Sequence, residues 1–440
     1  MLLDFQGSNF KSFGDSFDFR MKPERVSELG YSVLSEKVKG GTARALSASV
    51  IYGPNAAGKT SVINAMSCLR QIVLKGNIQN SETDRTEDHV SADMSLIPFK
   101  FREEAKPVTF DITFVQKGTR YRYTLRMMLG KFLEKDFDRY ISEESLWVDG
   151  TQIFRRSRDK VELLDVKAIR HRLNVGYVQS NTPNVQAMMS GNITKDSLLL
   201  TTDFNSFCSK DVVADITDWF RNCFLIVNSS NHVLFLPMYQ NGTALIDAYI
   251  NRVAREAGIL GSDFAYVNDA ESHIPKLMTV LNKDKDHLSG LDATKIESAG
   301  TMRLIAIMPV ILQALKVGAT LVMDEFDDSL HPSIIMNLIS IFHNDEINRK
   351  HAQLIFNSHN PMYMNRNILR RDEVKFVERD PDTKSGDLYE LADFRTNGDK
   401  GARKTSDYMK NYFVDRYGAI LHIDFSDIVA DMLKQEEKNA

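Results

Sequence analysis

The chain has 440 residues, 43% of them hydrophobic and 26% charged, with a formal net charge of −4. That length suits one large domain or two ordinary ones, and the near-neutral balance excludes a bulk charge that advertises a nucleic-acid or membrane surface. No apolar run reaches the roughly 18 residues that span a bilayer, and the start, MLLDFQGSNF, lacks the basic region of a signal peptide, so the expected compartment is the cytoplasm. Cys68, Cys208 and Cys223 match no zinc or redox spacing and read as small buried hydrophobes.

In chain order, the N-terminus reads as two short strands, through Leu3-Asp4-Phe5, Asn9-Phe10-Lys11-Ser12-Phe13 and Phe17-Asp18-Phe19, joined by a turn at Gly14-Asp15. Residues 46–52 form an apolar strand running into Gly53. Val62, Ile63, Met66, Leu69, Ile72 and Val73 then recur at helical spacing until Gly76. Residues 77–95 are polar and read as a loop; from Pro107 to about Leu164 the pattern is strand-like, with Asp149-Gly150 as a hairpin turn. Residues 205–290 change character: Val212, Val213, Ile216, Trp219 and Phe220 suggest one amphipathic helix, and Leu245, Ile246, Tyr249, Ile250 and Val253 another. No heptad repeat is sustained there, so the insertion is expected to be compact. Residues 319–323 are an apolar strand ending at Asp324, Pro332 opens a helix, and 353–357 form another buried strand before Ser358-His359. Short apolar strands alternating with helices predict an α/β core with parallel strands.

Three stretches carry chemistry. Gly53-Pro54-Asn55-Ala56-Ala57-Gly58-Lys59-Thr60 fits G-x-x-x-x-G-K-[ST], between a strand and a helix as a phosphate loop requires. Its glycines let backbone N–H groups turn inward around phosphate oxygens, and the helix N-terminus adds partial positive charge. Lys59 is expected to reach the β- and γ-phosphates of ATP and the Thr60 hydroxyl to ligate Mg²⁺, with Ser61 completing the ATP-binding run. Asp324-Glu325 ends a buried strand: Asp324 would hold Mg²⁺, and Glu325 is placed to accept a proton from the attacking water. His359, at the end of QLIFN, can contact the γ-phosphate or that water. Taken singly, the acidic pair could be a solvated strand end and the histidine a loop cap; following a phosphate loop, they read as catalytic.

With Glu297-Ser298-Ala299-Gly300-Thr301-Met302-Arg303-Leu304 lying 20 residues before the acidic pair, these elements resemble the ABC-type ATPase superfamily, in its non-transporter branch with SMC, RecF and OLD-like proteins. NFKSF is similar to the strand motif that opens SMC- and RecF-type heads. ESxGT followed by Arg and Leu, together with YFVDRYGAI (412–420), resembles ATPases near the OLD and AbiL-type phage-defence proteins. The resemblance implies an α/β ATPase head with a mixed or parallel core sheet, a β-rich lobe and a compact helical insertion. Its parts would be 1–204 with the phosphate loop and β-rich lobe, 205–290 as a helical lid, 291–395 with the later motifs, and 396–440 as a C-terminal segment.

By the same resemblance, Glu297, Ser298, Ala299 and Gly300 form a signature that completes the ATP site of a second copy, and Ser329 lies in a D-loop crossing that interface. Asn205, in SLLLTTDFN, is the candidate Q-loop residue. The implied protein is an ATPase using ATP and Mg²⁺, a homodimer or higher homo-oligomer that regulates a separate effector, a nuclease or other toxin, in anti-phage defence. Competing readings are a RecF-like clamp on nucleic acid, for which Arg395, Lys400, Arg403 and Lys404 form a modest basic cluster, and a scaffold that binds ATP but barely hydrolyses it. A transporter subunit fits least, and no membrane partner is expected. Glu378, Asp380 and Asp382 lack the glutamate on an earlier strand that a Toprim nuclease needs, so they read as a strand end and turn.

Overall fold

The computed structural model describes residues 1–440 except 26–28, 80–95, 135, 179–181, 228–242, 246–247, 260–262, 269–274, 285–286, 395–401, 403–405, 422 and 440. Most of the polar loop expected at 77–95, and Arg395, Lys400, Arg403 and Lys404 of the basic cluster, lie outside the described residues. In chain order the elements are β1 (Leu2–Ser8), β2 (Phe17–Arg20), β3 (Val33–Val38), β4 (Gly41–Leu46), β5 (Ala48–Tyr52), α1 (Lys59–Lys75), β6 (Val108–Gln116), β7 (Thr119–Met128), β8 (Tyr140–Val148), β9 (Thr151–Ser157), β10 (Lys160–Leu163), α2 (Val175–Val178), α3 (Thr182–Asn192) and α4 (Lys210–Asp218). There follow β11 (Phe224–Val227), β12 (Thr243–Leu245), α5 (Ala248–Glu256), β13 (Asp263–Asn268), β14 (Pro275–Asp284), β15 (His287–Asp292), α6 (Ala299–Val317), β16 (Thr320–Met323), α7 (Pro332–His343), β17 (Gln353–Asn357), β18 (Val374–Arg379), β19 (Gly386–Glu390), α8 (Tyr408–Phe413) and α9 (Ser426–Asn439).

The fold is mixed α/β. Its central sheet has the order β11-β16-β17-β5-β18-β19, parallel from β11 to β18 with β19 added antiparallel at the edge. β5, β16 and β17 are buried along their whole length, because helices and a second sheet cover both faces; this is why they read as continuous apolar runs rather than alternating ones. The two faces hold separate cores. Ile51 and α1 belong to one, shared with the antiparallel sheet β10-β9-β8-β7-β6-β1-β2. Val50, Tyr52, α6 and α7 belong to the other. Gln353 joins the sheets: its carboxamide accepts from Leu2 N–H and Thr320 Oγ1 and donates to the carbonyls of Leu2 and Leu46, so a buried amide is fully satisfied.

Within the antiparallel sheet, Glu144 is completely buried and accepts from the amides of Leu199 and Leu200 and from Tyr123 Oη, with the Arg156 guanidinium 3.7 Å away. Burial pushes the Glu144 carboxyl up, opposed by Arg156 and the two amides. Arg156 in turn donates to the carbonyls of Arg158, Thr194 and Ser197. The network fastens strands β7, β8 and β9 to the π-helix Leu200–Cys208 and the segment before it.

Two expectations are corrected. Residues 9–13 do not continue a strand: they form a tight turn closed by a Phe10–Phe13 bridge, with Asn9 and Lys11 at positive φ. The segment 205–290 is not a helical lid. It contains α4 and α5, but also a four-stranded antiparallel sheet, β12-β13-β14-β15. Pairs such as Asp263↔Val280 and Met278↔Asp292 supply the backbone hydrogen bonds of that sheet. These strands are consecutive antiparallel neighbours, and their two-residue alternation is passed over by a reading based on helical spacing. The apolar residues assigned to a second helix there divide between β12 and α5, with Ile246 outside the described residues. The hairpin β3–β4 went unread in the sequence. Among the described residues one helix, α6, is long and apolar enough to cross a membrane by length and composition; half of that stretch is buried within the second core.

Candidate nucleotide site

Parallel register assembles the site. Met323 lies level with Phe356, and Asn357 level with Ile51, so the ends of β16, β17 and β5 open on one edge of the sheet. Side chains just beyond those ends converge there, where ligands of open α/β sheets bind. The loop leaving β5 turns at Gly53, φ +150°, and Gly58, φ +129°. A Cβ at Gly53 would run into the Val377 carbonyl oxygen, and one at Gly58 would stand 3.0 Å from Ser12 Cβ. Glycine is therefore required at both, and the cradle that results suits a chain of phosphates. Pro54, Asn55, Ala56 (φ 61°) and Ala57 complete the loop, and the Ser61 hydroxyl is shared with Ser12 Oγ at 3.0 Å.

Lys59 is buried at the base of the loop, where Nζ donates to the carbonyls of Gly53 (2.7 Å) and Pro54 (2.9 Å). Burial pulls its pKa down to about 8, with the carboxylates of Asp324 and Glu325 pulling the other way. The charged form is thus only modestly favoured at neutral pH. A lysine with a pKa near 8 is almost wholly neutral at about pH 9.5, so affinity for Mg-ATP is expected to fall about tenfold or more between pH 7 and pH 9.5. Isothermal titration of the full chain checks this; an affinity that stays flat would show that the ammonium charge is not what holds the phosphates.

The acidic side of the site is a hydrogen-bonded chain. Thr60 Oγ1 donates to Asp324 Oδ1 at 3.1 Å. The same oxygen accepts from Asn357 Nδ2, and Asn357 Oδ1 accepts from the Glu325 amide at 2.6 Å. A hydroxyl and a buried carboxylate side by side are the donors a Mg²⁺ site beside phosphates uses, with phosphate and water oxygens filling the other positions. Glu325 has φ 50°, in the left-handed region, which the Asn357 bond to its amide and an Arg303 bond to its carbonyl (3.1 Å) help hold. That backbone turn leaves Asp324 buried while the Glu325 side chain is exposed. Asn357 was not singled out in the sequence; the signal was its place as the polar end of the apolar run Leu354-Ile355-Phe356. Lys11, in the β1–β2 turn, is likewise close enough to Asp324 to interact with it electrostatically.

His359 follows β17, and its pKa is depressed by desolvation first and by the Lys59 ammonium second, although part of the ring is open to solvent. It is therefore neutral at physiological pH and free to accept a hydrogen bond. Ser358 and Tyr363 both donate to Asp327, which fixes the loop that carries the histidine.

The signature stretch meets the acidic strand end within one chain. Ser298 caps α6 by accepting from Thr301 N–H at 3.1 Å, as a serine at that position does. A Cβ on Gly300 would strike the Ser329 carbonyl, so the two motifs lie in direct contact. Ser329 itself has φ 61°. Glu297 accepts from Thr279 Oγ1 of β14 at 3.0 Å, which couples the signature to the four-stranded sheet. Ala299 begins the helix. Asn205 lies in the π-helix Leu200–Cys208, where its carbonyl accepts from Asn174; no hydrogen bond among the described residues joins it to the phosphate loop. Asp380 caps its own turn by accepting from Asp382, Thr383 N–H and Thr383 Oγ1.

This loop–strand–helix core and its acidic edge define a P-loop-type α/β fold. The chain belongs to the family described as "AAA domain, putative AbiEii toxin, Type IV TA system", whose profile matches residues 48–177 and 224–365. No curated protein matches it. Among solved structures, the SMC head domain from Thermotoga maritima is similar at 15% identity, covering 88% of this chain and 98% of its own, with a TM-score of 0.37. A Smc head domain with an extended coiled coil, bound to the C-terminal domain of ScpA from Pyrococcus furiosus, is similar at 12% identity, covering 88% and 96%, with a TM-score of 0.39.

Proposed function

We propose that the chain is a Mg²⁺-dependent ATPase whose head pairs with a second copy around ATP and so controls a separate effector, a nuclease or other toxin, in bacterial anti-phage defence in the cytoplasm. The observation that carries the ATPase reading is the Thr60–Asp324–Asn357–Glu325 chain of hydrogen bonds at the mouth of a glycine-gated loop. The family's description, which names a toxin of a toxin–antitoxin system, supports the defence reading.

In this reading Lys59 leaves its loop carbonyls for the β- and γ-phosphates, where its charge offsets theirs. Mg²⁺, held by Thr60 and Asp324, would supply charge neutralisation across the same phosphates. Glu325, projecting into solvent, orients a water and takes its proton as the water oxygen attacks the γ-phosphorus and the bond to the β-phosphate oxygen breaks. Neutral His359 accepts a hydrogen bond beside that water. Ser298 and Gly300, at the positive end of α6, would close on the γ-phosphate of the neighbouring copy.

Mixing tests the shared site. Lys59→Ala chains and Ser298→Arg chains should each be inactive alone, with ATP binding retained in the second. A mixture should recover turnover, since one composite site then has an intact loop from one chain and an intact signature from the other. A mixture as inactive as its components would sink the pairing. The effector half is tested by what co-purifies from the native host: a nuclease or other toxic enzyme supports it, and a DNA-repair protein would replace it with the nucleic-acid clamp.

A further inference from the structure

Helix α9 and the residues leading to it leave a stripe of large apolar side chains in solvent. The root is anchored: Ala419 is buried in the second core, and its carbonyl accepts from Tyr412 Oη at 2.8 Å. Beyond it, Leu421 and Ile423 are exposed, and Phe425, Ile428, Val429 and Met432 are 64%, 60%, 50% and 62% exposed. These last four fall at i, i+3, i+4 and i+7, one face of a helix, which is the spacing of an amphipathic helix that fills a groove. Asp424 and Asp427 flank the stripe with negative charge.

A groove of matching character lies on the same chain. It holds about 980 Å³ between α5, α6 and α7 and is lined by Val253, Leu304, Met308, Leu312, Ile334 and Ile341. Arg252 and Lys316 also line it, against the single acid Glu256, so its lining carries a positive excess where the stripe's flank is acidic.

We propose that the 423–432 segment of one copy docks in the α5–α6–α7 groove of a second, and reciprocally, giving a dimer that forms without nucleotide. The segment is exposed along its own chain, so its stripe and its groove stay apart within one copy. Two copies bring both pairs together under one two-fold axis. This goes beyond the ATP-driven pairing proposed above. It does not depend on that reading, since the groove's helices, α6 from Ala299 and α7 from Pro332, are described without reference to nucleotide.

Light scattering of the purified full chain, without nucleotide and at micromolar concentration, tests it. The wild type should have twice the protomer mass. Ile428→Asp/Met432→Asp, on a face that its own fold leaves exposed, should weaken the dimer at least about tenfold. Arg252→Glu/Lys316→Glu should weaken it similarly, and adding Asp424→Lys/Asp427→Lys to that chain should restore it. A monomeric wild type, a dimer that persists in the Ile428/Met432 variant, or charge reversal that the compensating lysines do not rescue would each overturn the exchange. The tail variant combined with Glu325→Gln should still pair on adding ATP; failure of that step would count against the ATP-driven pairing and not against the groove.

Discussion

Glu325→Gln is expected to lower ATP hydrolysis by about 10²–10⁴-fold while leaving ATP binding intact. The loss follows from replacing the group that accepts the water's proton with one of the same size that cannot. The substitution should otherwise be quiet. The side chain is exposed, and both hydrogen bonds that hold residue 325 in its left-handed turn go to its backbone, from Arg303 and to Asn357. With hydrolysis blocked, ATP should hold two heads together: in the Ile428→Asp/Met432→Asp background, which removes the tail exchange, light scattering should rise from the 50.0 kDa protomer mass to twice that on adding Mg-ATP. Turnover equal to wild type would remove Glu325 from the chemistry and favour a scaffold that binds ATP without depending on its hydrolysis.

The second large effect concerns stability. Glu144→Ala should cost about 3–5 kcal/mol, because it strands a buried guanidinium along with two amides and a tyrosine hydroxyl. The pair is fully enclosed, Arg156 and Glu144 both being at zero exposure, so solvent cannot replace the lost partner. Arg156 would keep its three carbonyl acceptors but lose its counter-charge. Urea unfolding followed by tryptophan fluorescence reads the difference, since Trp147 lies in β8, the strand that carries Glu144, and Trp219 is buried against Phe114 of the same sheet. Glu144→Leu combined with Arg156→Met should recover much of the loss, as removing both charges leaves neither unpaired. A change below about 1 kcal/mol for the single variant would mean that water reaches the site after all.

The parts of this molecule governed by local rules were legible in its sequence. The run into Gly53, the helix from Lys59 to Gly76, the apolar strand before Asp324 and the proline opening α7 all announce themselves through periodicity, capping and glycine placement. Parallel strands buried on both faces read as unbroken apolar runs, so the central sheet was visible although its strand order was not. What escaped has two causes. The β12–β15 sheet is a meander of neighbouring strands whose short alternation is a weaker mark than the helical spacing beside it. The role of Asn357 appears only when β17 lies between β5 and β16, because a polar strand end marks the residue without saying that Asp324 and the Glu325 amide are its partners. The glutamates and arginines of the antiparallel lobe, such as Glu144 and Arg156, would ordinarily be placed on a surface; only the folded neighbourhood supplies the amides and carbonyls that allow them inside.

The direct contact of Gly300 with the Ser329 carbonyl has a bearing on how a pair of such heads would respond to fuel. Arg303, one helical turn further on, donates to the Glu325 carbonyl, so the surface proposed to meet a neighbour's ATP and the proposed base are joined by direct contacts within one chain. Seating ATP at one composite site would then shift the base of the other. Were two heads to pair as proposed, filling one site would favour filling the other, and the response to ATP concentration would rise more steeply than that of a lone head.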